Sequence, residues 1–374
     1  MQKIVLGYSG GLDSSVAIRW LAERHGAEVV TVTLDLGQSG ELDDARGRAL
    51  AIGAARAHVI DARDEFSREF IRPALQAGAL RGGRDPMAMA LGRPLIARHL
   101  ASIARIEDAS AIAHAGAGLD VDRFAISLRA VDPRIGVIAP AGTWALTRAD
   151  RIAYARARGI PVPADAEAAD AADENLWGRS AVWGGHDDLW QESPEDGFVR
   201  TKAPAGAPDR AAYVNLAFER GVPVSINDVA MPLVELIQCL ETIASTHGVG
   251  RIDLVPGPTG SSGRTLVEAP AAVALHVAHR ELQRLVTPED LDRLASNLAL
   301  AYADLVHDGR WFSATREAID AFVANIQERV SGAIRLKLFK GDCRVVGRMG
   351  DCGNGAMRQW RNEAMGQWGN EAME

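Results

Sequence analysis

Seven residues near the start of the chain, Ser9-Gly10-Gly11-Leu12-Asp13-Ser14-Ser15, bring two glycines, three hydroxyls and a carboxylate into one short run. Glycine lets a backbone approach a ligand closely. The unbonded N–H groups and the dipole at a helix start attract an anion, and Ser9, Ser14 and Ser15 add hydroxyl donors. The run follows an apolar strand signal at Lys3–Tyr8 (KIVLGY) and opens helical spacing from Asp13 to about His25. A phosphate-binding strand–loop–helix is therefore expected, in preference to a plain glycine turn. The loop lacks the GK[ST] of a Walker loop and the GxGxxG of a dinucleotide fold. Asp13 beside a phosphate calls for Mg²⁺ between them, or else for a helix cap. Other constellations read as structure. His276 and His279 lie i,i+3 on an expected helix with no third ligand at a recognisable spacing, so no metal site is expected. Asp187-Asp188 after Gly184-Gly185-His186 reads as an acidic turn, and Cys239 in VELIQCLETI as core.

The elements that must position the loop alternate strand and helix. Further strands are expected at Ala27–Leu34, His58–Asp61, Ser110–His114 and Gly136–Ala139, and helices at Glu41–Ile52 and Pro94–Ile106. Such alternation predicts an α/β fold with a parallel sheet covered on both faces. From about Pro161 the small, acidic stretch PVPADAEAADAADEN reads as a linker. Beyond it, residues 180–270 mix short strands and glycine turns. Helical spacing covers Ala271–Trp311 and Ala314–Val330, and Ala333–Val346 alternates like a hairpin around Lys340-Gly341-Asp342. The expected division is 1–160 for nucleotide binding, 161–348 for an α+β second domain and 349–374 for a tail. GNGAMRQW, RNEAMGQW and GNEAME repeat there with a period of eight, which is too little chain to bury a core.

Composition narrows the function. Lys and Arg number 41 against 49 Asp and Glu in 374 residues, a net charge of −8, which argues against a nucleic-acid surface. Three cysteines without a CxxC pair suggest a reducing, cytoplasmic setting. No apolar run of about 18 residues suggests a membrane span.

LGYSGGLDSS followed by VTLDLGQ (Val32–Gln38) resembles the pyrophosphatase-type loop of argininosuccinate synthases. The resemblance continues through GRPLIARHL (Gly92–Leu100), DRFAIS (Asp122–Ser127), DENLWGRS (Asp173–Ser180), HGVGRID (His247–Asp253), LHVAHRELQ (Leu275–Gln283) and GAIRLKLFKG (Gly332–Gly341), over about residues 1–348. It implies an adenine nucleotide alpha hydrolase-like first domain and an AMP-forming C–N ligase using ATP and Mg²⁺. In that chemistry a ureido oxygen is adenylated, pyrophosphate leaves, and an amine displaces AMP. The implied partners are a small-molecule acceptor and an amine donor, in a homotetramer. Carried over by position, Tyr8, Ser9, Gly10, Gly11, Leu12, Asp13, Ser14 and Ser15 would hold the phosphates. Leu34 would meet adenine, and His114, Ala115 and Gly118 would start a second glycine-rich loop. Asp13, Arg93 and Arg123 are the implied catalytic set, the arginines meeting a phosphate or a substrate carboxylate; for Arg93 a structural salt bridge to a neighbouring acid is an equal alternative.

The departures from the family pattern cluster on the amino-acid substrates. HGxTGKGNDQxRF is here His114-Ala-Gly-Ala-Gly-Leu-Asp-Val-Asp-Arg-Phe124, two residues shorter, with Ala117 for threonine and Leu119 for asparagine. Only Asp120 remains to accept a substrate ammonium. The YPLGT segment reads Asp85-Pro86-Met87-Ala88-Met89, Ala171 replaces a serine, and Val182 and Val267 replace a glutamate and a tyrosine, while Ser180 is kept. Met87, Met89, Val182 and Val267 are expected to form an apolar wall. Each lost bond to a charged group is worth on the order of 1.5–3 kcal/mol. The expectation is an argininosuccinate synthase-like ligase whose acceptor and amine have drifted. The alternatives are the authentic enzyme with a remodelled pocket and a non-catalytic nucleotide-binding paralogue.

Overall fold

The structure is a computed structural model that describes residues 2–39, 42–116, 119–140, 144, 146–162, 172–183, 190–255 and 264–350. The acidic turn at 184–188 and the octapeptide repeat thus lie outside the described residues.

Two buried apolar strands, β1 (Lys3–Gly7) and β2 (Glu28–Asp35), and a partly exposed third, β3 (Arg56–Asp61), begin the first sheet. With β4 (Ala111–His114) and β5 (Gly136–Ile138) they form an all-parallel sheet in the order β3-β2-β1-β4-β5. Parallel neighbours need crossovers. Helices α1 (Leu12–His25) and α2 (Leu42–Ile52) join the first three strands. A helical segment follows as α3 (Arg63–Phe66), a π turn (Ser67–Ile71) and α4 (Arg72–Gln76). Then come α5 (Ala88–Ile106), α6 (Leu119–Val131) and α7 (Arg148–Ala157). Helix α7 starts at a Thr147–Asp150 capping box.

Helix α5 begins six residues before the expected Pro94 start. Ala88, Ala90, Leu91 and Leu95 are all buried, so packing holds the helix through a proline that lacks its N–H. The stretch expected as one helix at 271–311 is two, Pro270–Val286 and Glu289–His307, broken at Thr287-Pro288. The residue before a proline avoids the helical region, and Thr287 is extended with ψ 138°.

The second half of the chain carries two antiparallel sheets, β11-β12-β7-β6 and β10-β9-β8-β13-β14, in which β8 spans Ala212–Glu219, β9 Val222–Ile226 and β10 Val229–Ala230. In the first, β6 (Ala172–Asn175) and β7 (Gly178–Trp183) meet β12 (Arg264–Glu268) and β11 (Arg251–Leu254). In the second, β13 (Gly332–Phe339) and β14 (Asp342–Gly350) form the expected hairpin. Its turn residues Lys340 and Gly341 both have positive φ, 47° and 88°, as a two-residue hairpin requires.

One buried apolar cluster runs through both halves. It holds Val30, Leu95 and Leu100 of the parallel sheet and its helix together with Leu216, Leu275 and Ile334 of the second half. The opposite face of the parallel sheet packs Ile4 and Leu6 on Val16 and Ile18 of α1 in a separate cluster. The chain from β6 onward is pinned to the first half by two hydrogen bonds. The Leu176 N–H donates to the Leu36 carbonyl at 2.7 Å, and Asn175 Nδ2 donates to the Ala88 carbonyl at 2.8 Å.

Candidate active site

The strand order places a switch point between β1 and β4, since β1 has β2 on its other side. Ligands of open parallel sheets bind outside the carboxyl ends of the strands at such a point. Both candidate loops emerge there: Gly7 is paired with His114 in the β1–β4 register, so the Ser9–Ser15 loop and the residues after His114 start side by side.

The Ser9–Ser15 loop is held from below. Tyr8, 3% exposed, shares a hydrogen bond with Ser15 (3.3 Å), and its carbonyl accepts from Thr33 Oγ1 at 2.9 Å. Ser14 donates to the Gly11 carbonyl at 3.1 Å and shares a contact with Ser9 at 3.2 Å. Ser9 is exposed, and Gly10 and Gly11 are half-buried. Gly10 has φ +82°, a conformation that favours glycine. Leu12 is buried. The first-turn amides of α1 are left for a ligand, because the N-cap is Gly11, which has no side chain to cap them. This corrects the reading of Asp13 as a cap. Asp13 instead pairs with Arg151 of α7 at 2.7 Å, a partner 138 residues away that the sequence did not reveal. Leu34 closes β2 and is buried, with its carbonyl accepting from Gln38 Nε2 at 2.7 Å.

His114 ends β4 at 2% exposure, stacked on Phe124 with ring centroids 4.6 Å apart. Neither ring nitrogen has a hydrogen-bond partner. Burial pushes its imidazole down to about 4, so it is neutral near pH 7, with one donor and one acceptor free. Ala115 is half-buried beside it. Ala117, Gly118 and Ala171 lie outside the described residues, as does the side chain of Leu119.

Arg93, Asp120, Arg123 and Asp173 form one charged cluster. Arg93 donates to Asp120 through Nε (3.0 Å) and Nη2 (2.7 Å), and to Asp173 at 2.6 Å. Arg123 donates to Asp120 at 3.2 Å and to the His307 carbonyl at 2.6 Å. Burial alone would disfavour the Arg93 charge, but Asp173 and Asp120 outweigh it and raise its affinity for the proton. Burial likewise opposes ionisation of Asp120, and the two guanidinium groups outweigh it, holding the carboxyl below the ordinary range. The expectation of a free acceptor at Asp120 is thereby corrected: two arginines already occupy it. Asp173, a solvent-facing member of β6, was not singled out in the sequence although it opens DENLWGRS.

The apolar wall is also corrected. Met87 (5% exposed) and Val267 (3%) belong to the core, Met89 is partly buried, and Val182 is 43% exposed. Ser180 lies opposite Val267 in the β7–β12 pairing, with Val182 two residues along on the same face. The four apolar side chains thus run from core to solvent and do not form one continuous surface.

The histidine pair is structural. His279 is buried on Gln327 (2.8 Å) and His276 is buried against Trp177. Among the described residues no group of three His, Cys, Asp or Glu is placed to hold a metal. Cys239 is half-buried at the edge of the core. No helix among the described residues is long and apolar enough to cross a membrane.

A parallel sheet with an anion-ready loop at its switch point, followed by an α+β half, defines a nucleotide-binding α/β protein. Residues 3–161 match the family model described as the Arginosuccinate synthase N-terminal HUP domain, and residues 171–353 match the Arginosuccinate synthase C-terminal domain. The chain is 45% identical over 350 residues to an argininosuccinate synthase of Rubrobacter xylanophilus, covering 93% of this chain and 85% of that one. It is 45% identical over 351 residues to that of Symbiobacterium thermophilum (93% and 88%), and 43% identical over 350 residues to that of Oceanobacillus iheyensis (93% and 84%). The chain belongs to the argininosuccinate synthase family.

Proposed function

We propose that the chain is an ATP-dependent, AMP-forming C–N ligase and performs the reaction for which its relatives are named, joining citrulline and aspartate. The observation that carries this is the Ser9–Ser15 loop, with its uncapped helix start, at the β1/β4 switch point of a chain 45% identical to argininosuccinate synthases along almost its whole length. A ureido carbonyl is a poor electrophile, because nitrogen lone pairs feed it and oxygen leaves badly. Transferring AMP to that oxygen supplies a leaving group. The protein's part is then to position and to balance charge. The Gly10 and Gly11 amides and the start of α1 hold the phosphates, Ser9 adds a donor, and Leu34 packs near the adenine. His114 offers its neutral ring beside the transferring phosphorus, and Arg93, Asp120 and Arg123 orient the acceptor and the amine, exchanging bonds within their cluster for bonds to substrate. Mg²⁺ keeps several waters and takes one or two carboxylates. Asp13 fits that part because Arg151 uses only its Oδ2, and the ion would neutralise phosphate charge. In this reading residues 1–160 bind ATP, 161–348 complete the substrate site and assemble a homotetramer, and 349–374 form a tail.

A second reading, with drifted substrates, is favoured by one feature. Asp120 is already neutralised by Arg93 and Arg123, while Met89, Ala117, Leu119, Val182 and Val267 stand where the family pattern has polar groups. One assay separates the readings. Purified chain with ATP and Mg²⁺ is followed for pyrophosphate release, first with citrulline and aspartate, then with a panel of ureas, amides and amines. Turnover with citrulline and aspartate refutes drift. Turnover only with other pairs refutes the first reading. ATP binding without turnover on any pair refutes both and leaves a nucleotide-binding paralogue.

A further inference from the structure

Two arginines beside the Ser9–Ser15 loop each carry a shielded Nε with no hydrogen-bond partner among the described residues. Arg48, on α2, lies against Gly10: a Cβ built there would stand 3.1 Å from its Nη2. It makes no hydrogen bond among the described residues, and its Nε is shielded from water without a partner. Asp44, one helical turn back, is 3.6 Å away and mostly in solvent. Arg151, on α7, reaches Asp13 through Nη1 alone, and its Nε is also shielded and unpartnered. Among the described residues these are the only two guanidinium groups with an atom stranded in this way.

A buried donor without an acceptor is destabilising, and such an exception in a structure calls for an explanation. Here both exceptions border one loop, from helices about a hundred residues apart in sequence, and the loop is built for an anion. We infer that Arg48 and Arg151 are the two arms of a clamp on the β- and γ-phosphates, the part of the nucleotide that departs as pyrophosphate. Neither belongs to the loop motif. A diphosphate has oxygens enough to accept from both planar forks, whereas AMP has no phosphate that reaches them. The clamp therefore favours ATP and pyrophosphate over AMP, which lets the nucleotide product leave while the triphosphate is held. The inference rests on reading Ser9–Ser15 as the triphosphate site.

The test uses the full chain and its Arg48→Ala, Arg151→Ala and Arg48→Lys variants, titrated calorimetrically with ATP, inorganic pyrophosphate and AMP. Each alanine variant is expected to bind ATP and pyrophosphate roughly tenfold or more weakly and AMP within about twofold of the parent, with Arg48→Lys recovering part of the loss. Far-UV circular dichroism checks the fold, and the glutamine variant at the same position, Arg48→Gln or Arg151→Gln, which keeps part of the stem, replaces any alanine variant that fails it. Unchanged ATP and pyrophosphate affinity in both variants overturns the clamp and leaves the loop standing. Equal losses for AMP and pyrophosphate overturn it as well, since the arginines then act through the loop's shape. A parent chain that binds neither ATP nor pyrophosphate removes the triphosphate site and the clamp together.

Discussion

Replacing Asp120 by asparagine probes the charged cluster at the mouth of the site. Asp120 is 18% exposed and accepts two bonds from Arg93, at 3.0 and 2.7 Å, and one from Arg123 at 3.2 Å. A hydrogen bond to a charged group contributes about 1.5–3 kcal/mol. Three such bonds do not vanish together, however. Asparagine keeps one acceptor oxygen, Arg93 keeps Asp173, and Arg123 keeps the His307 carbonyl. The net loss should be that of one charge-assisted bond, about 1.5–3 kcal/mol at pH 7, read from equilibrium urea unfolding. The pH dependence has a definite sign. Arg93 and Arg123 overcome the effect of burial and hold the Asp120 carboxyl below its ordinary range. A carboxyl lowered in the folded state stabilises above its unfolded pKa, and that stabilisation is lost as pH falls through the folded value. The gap between parent and variant should therefore be full at pH 7 and shrink below about pH 4. A gap under about 0.5 kcal/mol at pH 7, or one that stays constant down to pH 3, would refute the view that this carboxylate is what the two arginines converge upon. In turnover with citrulline and aspartate, the variant should raise KM for aspartate more than it lowers kcat.

Other expectations follow from single contacts. Gly10→Ala forces a non-glycine residue to φ +82° against Arg48; at about 1–2 kcal/mol for that conformation, KM for ATP should rise roughly tenfold, and an unchanged KM would show that the loop tolerates a side chain. Glu268 is fully buried and accepts from the Val199, Arg200 and Thr201 amides, from Thr201 Oγ1 and from Arg179. Glu268→Ala should destabilise by about 3–5 kcal/mol in urea unfolding, and a loss under 1 kcal/mol would contradict that count of partners. Burial pushes the His276 imidazole down to about 3, aided by His279, and its Nε2 has no partner. A histidine lowered in the folded state makes stability fall as pH drops from about 6.5 toward the folded value, because the unfolded chain takes up the proton first. His276→Phe should flatten that slope, and an unchanged slope between pH 6.5 and 5 would rule the residue out as its source.

The parallel sheet was legible because continuous apolar runs such as Lys3–Tyr8 and Ala27–Leu34 can be satisfied only by burial on both faces. The strand–loop–helix around Ser9–Ser15 was legible because its residues are contiguous. What escaped depends on distance along the chain. Arg151 looks like any solvated helix arginine until folding lays it on Asp13, 138 residues earlier. Asp120 reads as a free acceptor until Arg93, 27 residues before it, turns inward. Pro94 reads as a helix start because its ring usually marks one, and only the burial of Ala88–Leu91 reveals that the helix has already begun. The apolar wall failed for a related reason: substitutions aligned along the sequence were treated as neighbours, whereas strand and helix send Val267 into the core and Val182 into solvent.

The single apolar cluster shared by Val30, Leu95, Leu216 and Ile334, with the Leu176–Leu36 and Asn175–Ala88 bonds, has a bearing on how this chain can change. Helix α5 lies on one face of the parallel sheet, and the second half of the chain packs against that helix and the segment before it within the same cluster. The two halves are thus not interchangeable parts. A gene fragment ending near the linker would leave a broad greasy face bare and prone to clump. A second half borrowed from a cousin would have to match this shared interior residue by residue, so change is most accessible at the rim, at positions like Val182, which is exposed and outside that cluster.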